Sequence, residues 1–190
     1  MTIEDDEIPD SIVMAITESL RACAYHEAGH GVVATALGRD VLFTATSSER
    51  PDEGGRTEYA DGPTPEELRE APEHYRAIAL TSLAGPAAEA RFRLRDRGLE
   101  DALTSMVVYE SPLDAAQVEL YIRTAVPSDA AWETEVTLRR DAFVLVLQYW
   151  SLIQGVAEEL VVRGRLSGEE IGRLMGGDEP AATPEARGEV

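Results

Sequence analysis

Ala24-Tyr25-His26-Glu27-Ala28-Gly29-His30 is the stretch that decides how this chain reads. It lies inside a Pro-free segment, Ile12 to Leu37, whose apolar residues Val13, Ile16, Leu20, Ala24 and Val33 recur at helical spacing. Residues four apart on a helix stand one turn apart on the same face. His26 and His30 can therefore bring two imidazoles to one point, and neutral imidazole is a preferred ligand of Zn2+. Glu27 adjoins the first histidine and can reach a metal-activated water, take its proton and later give it to a leaving amine. The metal would lower the water's pKa and polarise the scissile carbonyl. His26, Glu27 and His30 thus supply most of a hydrolytic centre, with Glu27 catalytic and Zn2+ as cofactor. The plainer reading is a pair of histidines hydrogen-bonded in a core or solvated on an amphipathic helix.

Outward from this helix, Gly38 is expected at C′. Val41 to Thr46 is β-branched and aromatic, hence a strand. Gly54-Gly55 signals a turn, and Arg56 to Ala60 returns as the partner strand of a hairpin. The first strand reads either as an exposed edge that takes an extended peptide or as a simple cover. Thr64-Pro65-Glu66-Glu67 is a capping-box helix start. After Pro72, a helix is expected from Glu73 to about Arg95. Pro112 introduces another, Leu113 to Thr124. Pro127-Ser128-Asp129 is expected to cap a long helix reaching Val162, and Ser167 with Glu170 to cap a short one ending before Gly176-Gly177. The fold class is mostly α with a small β-hairpin or sheet. One domain is expected over residues 1–177, its core about 10–176, followed by a flexible tail at 178–190.

The chain has 190 residues, 36 acidic against 17 basic, and a net charge of −19. Every basic residue is Arg; Lys and Asn are absent. So acidic a surface repels phosphates, which argues against nucleic acid and anionic membranes as partners. Residues Thr2 to Glu7 lack the basic and apolar features of a signal peptide. The least charged stretch, Ala142 to Ala157, is too short to span a bilayer and is expected as buried helix. The single Cys23 excludes an internal disulfide and suits a reducing compartment. The expected location is a bacterial cytoplasm, without membrane insertion.

Ala24 to Ala34 resembles the zinc motif of FtsH-type proteases, in which a membrane-anchored ATPase carries a mostly helical zinc peptidase domain. Leu83-Ala84-Gly85-Pro86-Ala87-Ala88-Glu89 resembles that family's Gly-Gly-Arg-Ala-Ala-Glu segment. Ser111-Pro112-Leu113-Asp114-Ala115-Ala116-Gln117 resembles its Ser-Asn-Asp helix start, and Ile153 to Met175 its closing helices. The resemblance runs from about residue 12 to 176. It departs where Ala84-Gly85-Pro86 lacks the family's arginine and where Leu113 replaces its asparagine. The family's ATPase and transmembrane helices have no counterpart in these residues, and no phosphate-binding loop ending in Lys is present.

The resemblance nominates Asp114 as third metal ligand. A carboxylate just after Pro112, in a first helical turn, also projects from a fixed position; the plainer alternative is an ordinary helix N-terminal acid favoured by the dipole. Glu89 is the alternative ligand, or else a partner that braces a ligating histidine from behind. His74 is expected as a solvated residue, Cys23 as a small buried one, and Trp132 and Trp150 as core or interface anchors. The expected function is ATP-independent metallopeptidase action on peptides or unfolded chains. The alternative is a non-catalytic zinc-binding adaptor that keeps the fold. Substrate-binding residues, a separate ATPase partner and homo-oligomerisation are left open.

Overall fold

The computed structural model describes residues 9–47, 54–60, 72–95 and 97–176. Small side chains set its centre. In α1 (Asp10–Ala36) and α2 (Pro72–Leu94), Ala24, Ala28, Ala84, Ala87 and Ala88 are fully buried. A Cβ on Gly29 would stand 2.5 Å from the Ala84 carbonyl oxygen, so the two backbones pack almost directly on each other. This close approach brings the histidine face of α1 against α2.

The remaining elements are β1 (Val41–Thr46), β2 (Gly55–Tyr59), α3 (Leu99–Tyr109), α4 (Pro112–Ala125), α5 (Ala131–Gln148), α6 (Trp150–Arg163), β3 (Arg165–Ser167) and α7 (Gly168–Gly176). The protein is thus mostly α with a small antiparallel sheet, as the sequence predicts. The strand order is β2-β1-β3. Val41 pairs with Tyr59 and Thr44 with Thr57, with an irregularity between Val41 and Phe43; on the other side Thr44 pairs with Leu166. The core joins Leu83, Met106, Leu138, Ile153, Leu160, Leu166 and Ile171, all buried. No helix among the described residues is long and apolar enough to cross a membrane.

Several expectations need correction. The first strand is central, so β2 and β3 are the edges and β1 itself has no free edge. The long helix before Val162 divides at Tyr149, whose φ of −100° and ψ of 14° leave the helical region. α5 packs on α2 whereas α6 packs on α1, which one straight helix could not do; tertiary packing overrides local propensity here. The break also stacks Trp150 on Tyr25, with centroids 5.4 Å apart. Val144 and Leu147 are exposed, so Ala142 to Ala157 is buried only in part. Trp132 is 77% exposed and is not a core residue. α3 was not expected at all. The early turns of α1 carry exposed Val13 and Ile16, because burial begins only near Ala22. Ser167 and Glu170 do form the expected capping box, with Glu170 N–H donating to Ser167 Oγ at 3.2 Å and Ser167 N–H to Glu170 Oε2 at 2.8 Å. The Thr64 helix start and the 178–190 tail lie outside the described residues.

Candidate metal centre

α1 presents His26 and His30 on one face, with ring centroids 4.8 Å apart. α4 brings Asp114 to them from across the fold. His26 Nε2 lies 3.6 Å from Asp114 Oδ2, and His30 Nε2 lies 3.5 Å from Asp114 Oδ1. Asp114 is held by a capping box: Ser111 Oγ donates to its Oδ2 at 2.6 Å and Ser111 N–H at 3.2 Å, while Asp114 N–H donates back at 3.1 Å. Pro112 at the first helical turn fixes the entry to α4. The carboxylate is thereby both a helix-start acid and a member of the cluster with His26 and His30.

Each histidine is braced through its other nitrogen. His26 Nδ1 is 3.0 Å from Glu89 Oε2, and His30 Nδ1 is 2.8 Å from the Thr81 carbonyl oxygen. Both acceptors favour Nδ1 as the donor, which turns Nε2 of each ring toward Asp114. Arg93 Nε in turn donates to Glu89 Oε1 at 2.8 Å. Glu89 therefore stands behind His26 and is not in the group of ligand atoms formed by His26, His30 and Asp114, which lie within 4.8 Å of one another.

This trio can hold a metal ion. Donors at 2.0–2.2 Å around a tetrahedral ion sit about 3.3–3.6 Å from each other, close to the nitrogen–oxygen separations found here. Without a cation, a proton must reconcile the converging acceptors. Burial disfavours charge on His26, but Asp114 and Glu89 outweigh it and raise its pKa from 6.5 to about 10. Burial likewise disfavours the Asp114 carboxylate, but His30, His26 and Ser111 prevail and hold it at about 2. Glu89 is also lowered, burial being outweighed by His26 and Arg93.

Glu27 is buried beside this cluster. Thr57 Oγ1, on β2, donates to Glu27 Oε2 at 2.8 Å and lies 3.3 Å from Thr44 Oγ1. Gly55 makes room for the same side chain, since a Cβ there would stand 2.2 Å from Glu27 Cγ. On the other wall a Cβ on Gly85 would stand 2.3 Å from His30 Nε2. Glu27, His26, His30 and Asp114 open onto one cavity of about 740 Å³ that runs along α1 between β2 and α4. Cys23 is on this wall too, its thiol pushed up to about 12 chiefly by burial and then by Glu27 and Glu89, and hence inert. His74 is exposed, as expected, and is not a member of the cluster.

Sequence reasoning missed Thr57, Gly55, Gly85 and Ser111. Ser111-Pro112-Leu113-Asp114 carries the Ser-x-x-Asp signature of a capped helix start, so Ser111 was legible. The other three act through contacts between elements and leave no local pattern. No family model matches this chain, and no curated protein matches it.

Proposed function

We propose that this protein is a zinc-dependent peptidase that hydrolyses peptides or unfolded chains without an ATPase of its own. The observation that carries the reading is the convergence of His26 Nε2, His30 Nε2 and both Asp114 oxygens, with the buried Glu27 carboxylate beside them. Two imidazoles and one carboxylate with an open side suit catalytic Zn2+ better than a closed structural site, which takes four protein ligands. The resemblance of Ala24–Ala34, Leu83–Glu89 and Ser111–Gln117 to FtsH-type zinc peptidases points the same way.

His26, His30 and Asp114 would hold the ion. When bound, it supplies a Lewis acid that activates water and polarises a carbonyl. Glu27 does the proton work. Thr57 occupies its Oε2, so the proton is taken on Oε1 and delivered from there to the leaving amine. Glu89 and the Thr81 carbonyl keep both imidazoles in the tautomer that frees Nε2.

The test is hydrolysis of unfolded casein and of a mixed peptide library by the zinc-loaded protein and by Glu27→Gln. Cleavage by the former, falling roughly 10²-fold or more in the latter with zinc retained, is expected. Equal rates in the two proteins, or no cleavage by either, would overturn the proposal.

A further inference from the structure

Arg39 stands on the wall of the same cavity. The end of α1 fixes its place: Gly38 takes φ +76°, its N–H donates to Thr35 O at 3.0 Å, and Arg39 N–H donates to Ala34 O at 2.9 Å. That Schellman closure sets the backbone at Arg39, whose side chain meets Tyr59 of the edge strand β2. The Arg39 guanidinium lies over the Tyr59 ring, 3.9 Å from its centroid. Tyr59 shares a strand face with Thr57 and Gly55, because side chains alternate along β2. Two residues of strand span about 7 Å, so the Arg39–Tyr59 pair lies roughly that far along β2 from the residue that holds Glu27.

The other guanidinium groups on this wall are answered by carboxylates, Arg56 by Glu58 at 3.1 Å and Arg93 by Glu89 at 2.8 Å. Arg39 has no carboxylate partner among the described residues, where its contact is the Tyr59 ring. Its Nη1 is buried with no hydrogen-bond partner. Burial lowers its pKa, and Tyr59 offsets this only in part. Among the described residues, this half-buried fork of N–H donors on the cavity wall meets an aromatic ring and no planar anion of the kind it is shaped to take.

We infer that Arg39, stacked on Tyr59, receives a carboxylate of the substrate at this end of the cavity. The carboxylate is either the C-terminus of a peptide or an acidic side chain, one or two residues beyond the bond being cut. The identity of the ligand as a peptide and its placement relative to the bond being cut rest on the peptidase reading; the recognition of a carboxylate by Arg39 does not. The pair would give the cleft a direction, because one end of an extended chain would be anchored by charge.

Fluorescence anisotropy on the Glu27→Gln protein, zinc-loaded and metal-free, tests this with three labelled hexapeptides. One has a free C-terminal carboxylate and no acidic side chain, the second is its C-terminal amide, and the third is that amide with one internal Glu. One of the two acids is expected to bind roughly tenfold or more tightly than the neutral amide, and which one does so names the source. Arg39→Gln should erase the difference and Arg39→Lys keep part of it. Comparing the peptides on the protein that retains Arg39 decides the matter even if those variants fail to fold. Equal binding of all three, no binding by any, or a preference that survives in folded Arg39→Gln overturns the inference. Carboxylate preference without hydrolysis by the wild-type protein would sink the peptidase reading alone. Hydrolysis without preference would sink this inference alone.

Discussion

Thr57 Oγ1 lies 2.8 Å from Glu27 Oε2, which ties an edge strand of the sheet to the acid between the two histidines of α1. The same hydroxyl is 3.3 Å from Thr44 Oγ1 on the central strand. Glu27 is thus held by a hydrogen-bonded chain between β2 and β1, in a place where the residue is 5% exposed.

Thr57→Val should therefore lower kcat while leaving zinc content unchanged. A hydrogen bond to a charged group contributes about 1.5–3 kcal/mol, so the loss should be on the order of tenfold or more, with KM changed less. Thr57→Ser keeps the hydroxyl and should recover most of the rate. Steady-state kinetics on the three proteins, with metal content measured alongside, would count against this role if Val and Ser variants behaved alike.

Two glycine substitutions should separate the metal from the base. Gly85→Ala puts a methyl 2.3 Å from His30 Nε2, so zinc should be lost even though alanine suits a helix better. Gly55→Ala meets the Glu27 side chain at 2.2 Å, so zinc should stay while hydrolysis falls. Metal analysis of the dialysed variants checks both; zinc retained at full occupancy by Gly85→Ala would refute the first.

Glu89 and Asp114 should differ in how much metal affinity they carry. Replacing a group that braces a ligating histidine costs about 10–100-fold, and this is the range expected for Glu89→Gln. Asp114→Ala removes the proposed ligand and the acceptor of the Ser111 Oγ and N–H bonds, while the backbone N–H bond back to Ser111 Oγ remains, so zinc affinity should fall further. Competition titrations against a zinc chelator rank the two; a weaker effect at Asp114 would reverse their roles.

The metal-free protein should show a distinctive pH dependence. His26 is raised from 6.5 to about 10, so its stabilisation is complete below about 6.5 and is lost as pH rises through 10. Asp114 is lowered from 3.8 to about 2, so its stabilisation is present above 3.8 and is lost as pH falls through 2. From these two groups, Tm without metal should be highest between about pH 4 and 6.5. Zinc must displace the His26 proton, so the Tm gained on adding zinc should grow from pH 6 to 8. Scanning calorimetry in chelator and in zinc measures both trends, and a zinc effect that shrinks with rising pH is incompatible with this protonation scheme.

How far the sequence could be read depended on where each determinant lies. His26, Glu27 and His30 share one helix, so their spacing alone fixed their relation. Asp114 was reachable only through the resemblance and its place in the first helical turn after Pro112, since nothing local says that α4 meets α1. Gly38, Ser167 and Glu170 carry their cap geometry in their own neighbourhood and were legible for that reason. Three-residue β3 is too short for any periodicity, so the centrality of β1 was hidden. The division at Tyr149 has neither Pro nor Gly to announce it and follows from α5 and α6 choosing different partners. Thr57, Gly85 and Arg39 matter only through contacts across elements.

Whether His26, His30 and Asp114 meet one ion is tested most directly by zinc-loaded crystals read by anomalous scattering at the zinc edge. One zinc per chain is predicted, bonded to His26 Nε2, His30 Nε2 and an Asp114 oxygen at about 2.0–2.2 Å, with Glu89 remaining on His26 Nδ1. A zinc bound by Glu89 with Asp114 remote, or no zinc between the two histidines, would contradict it.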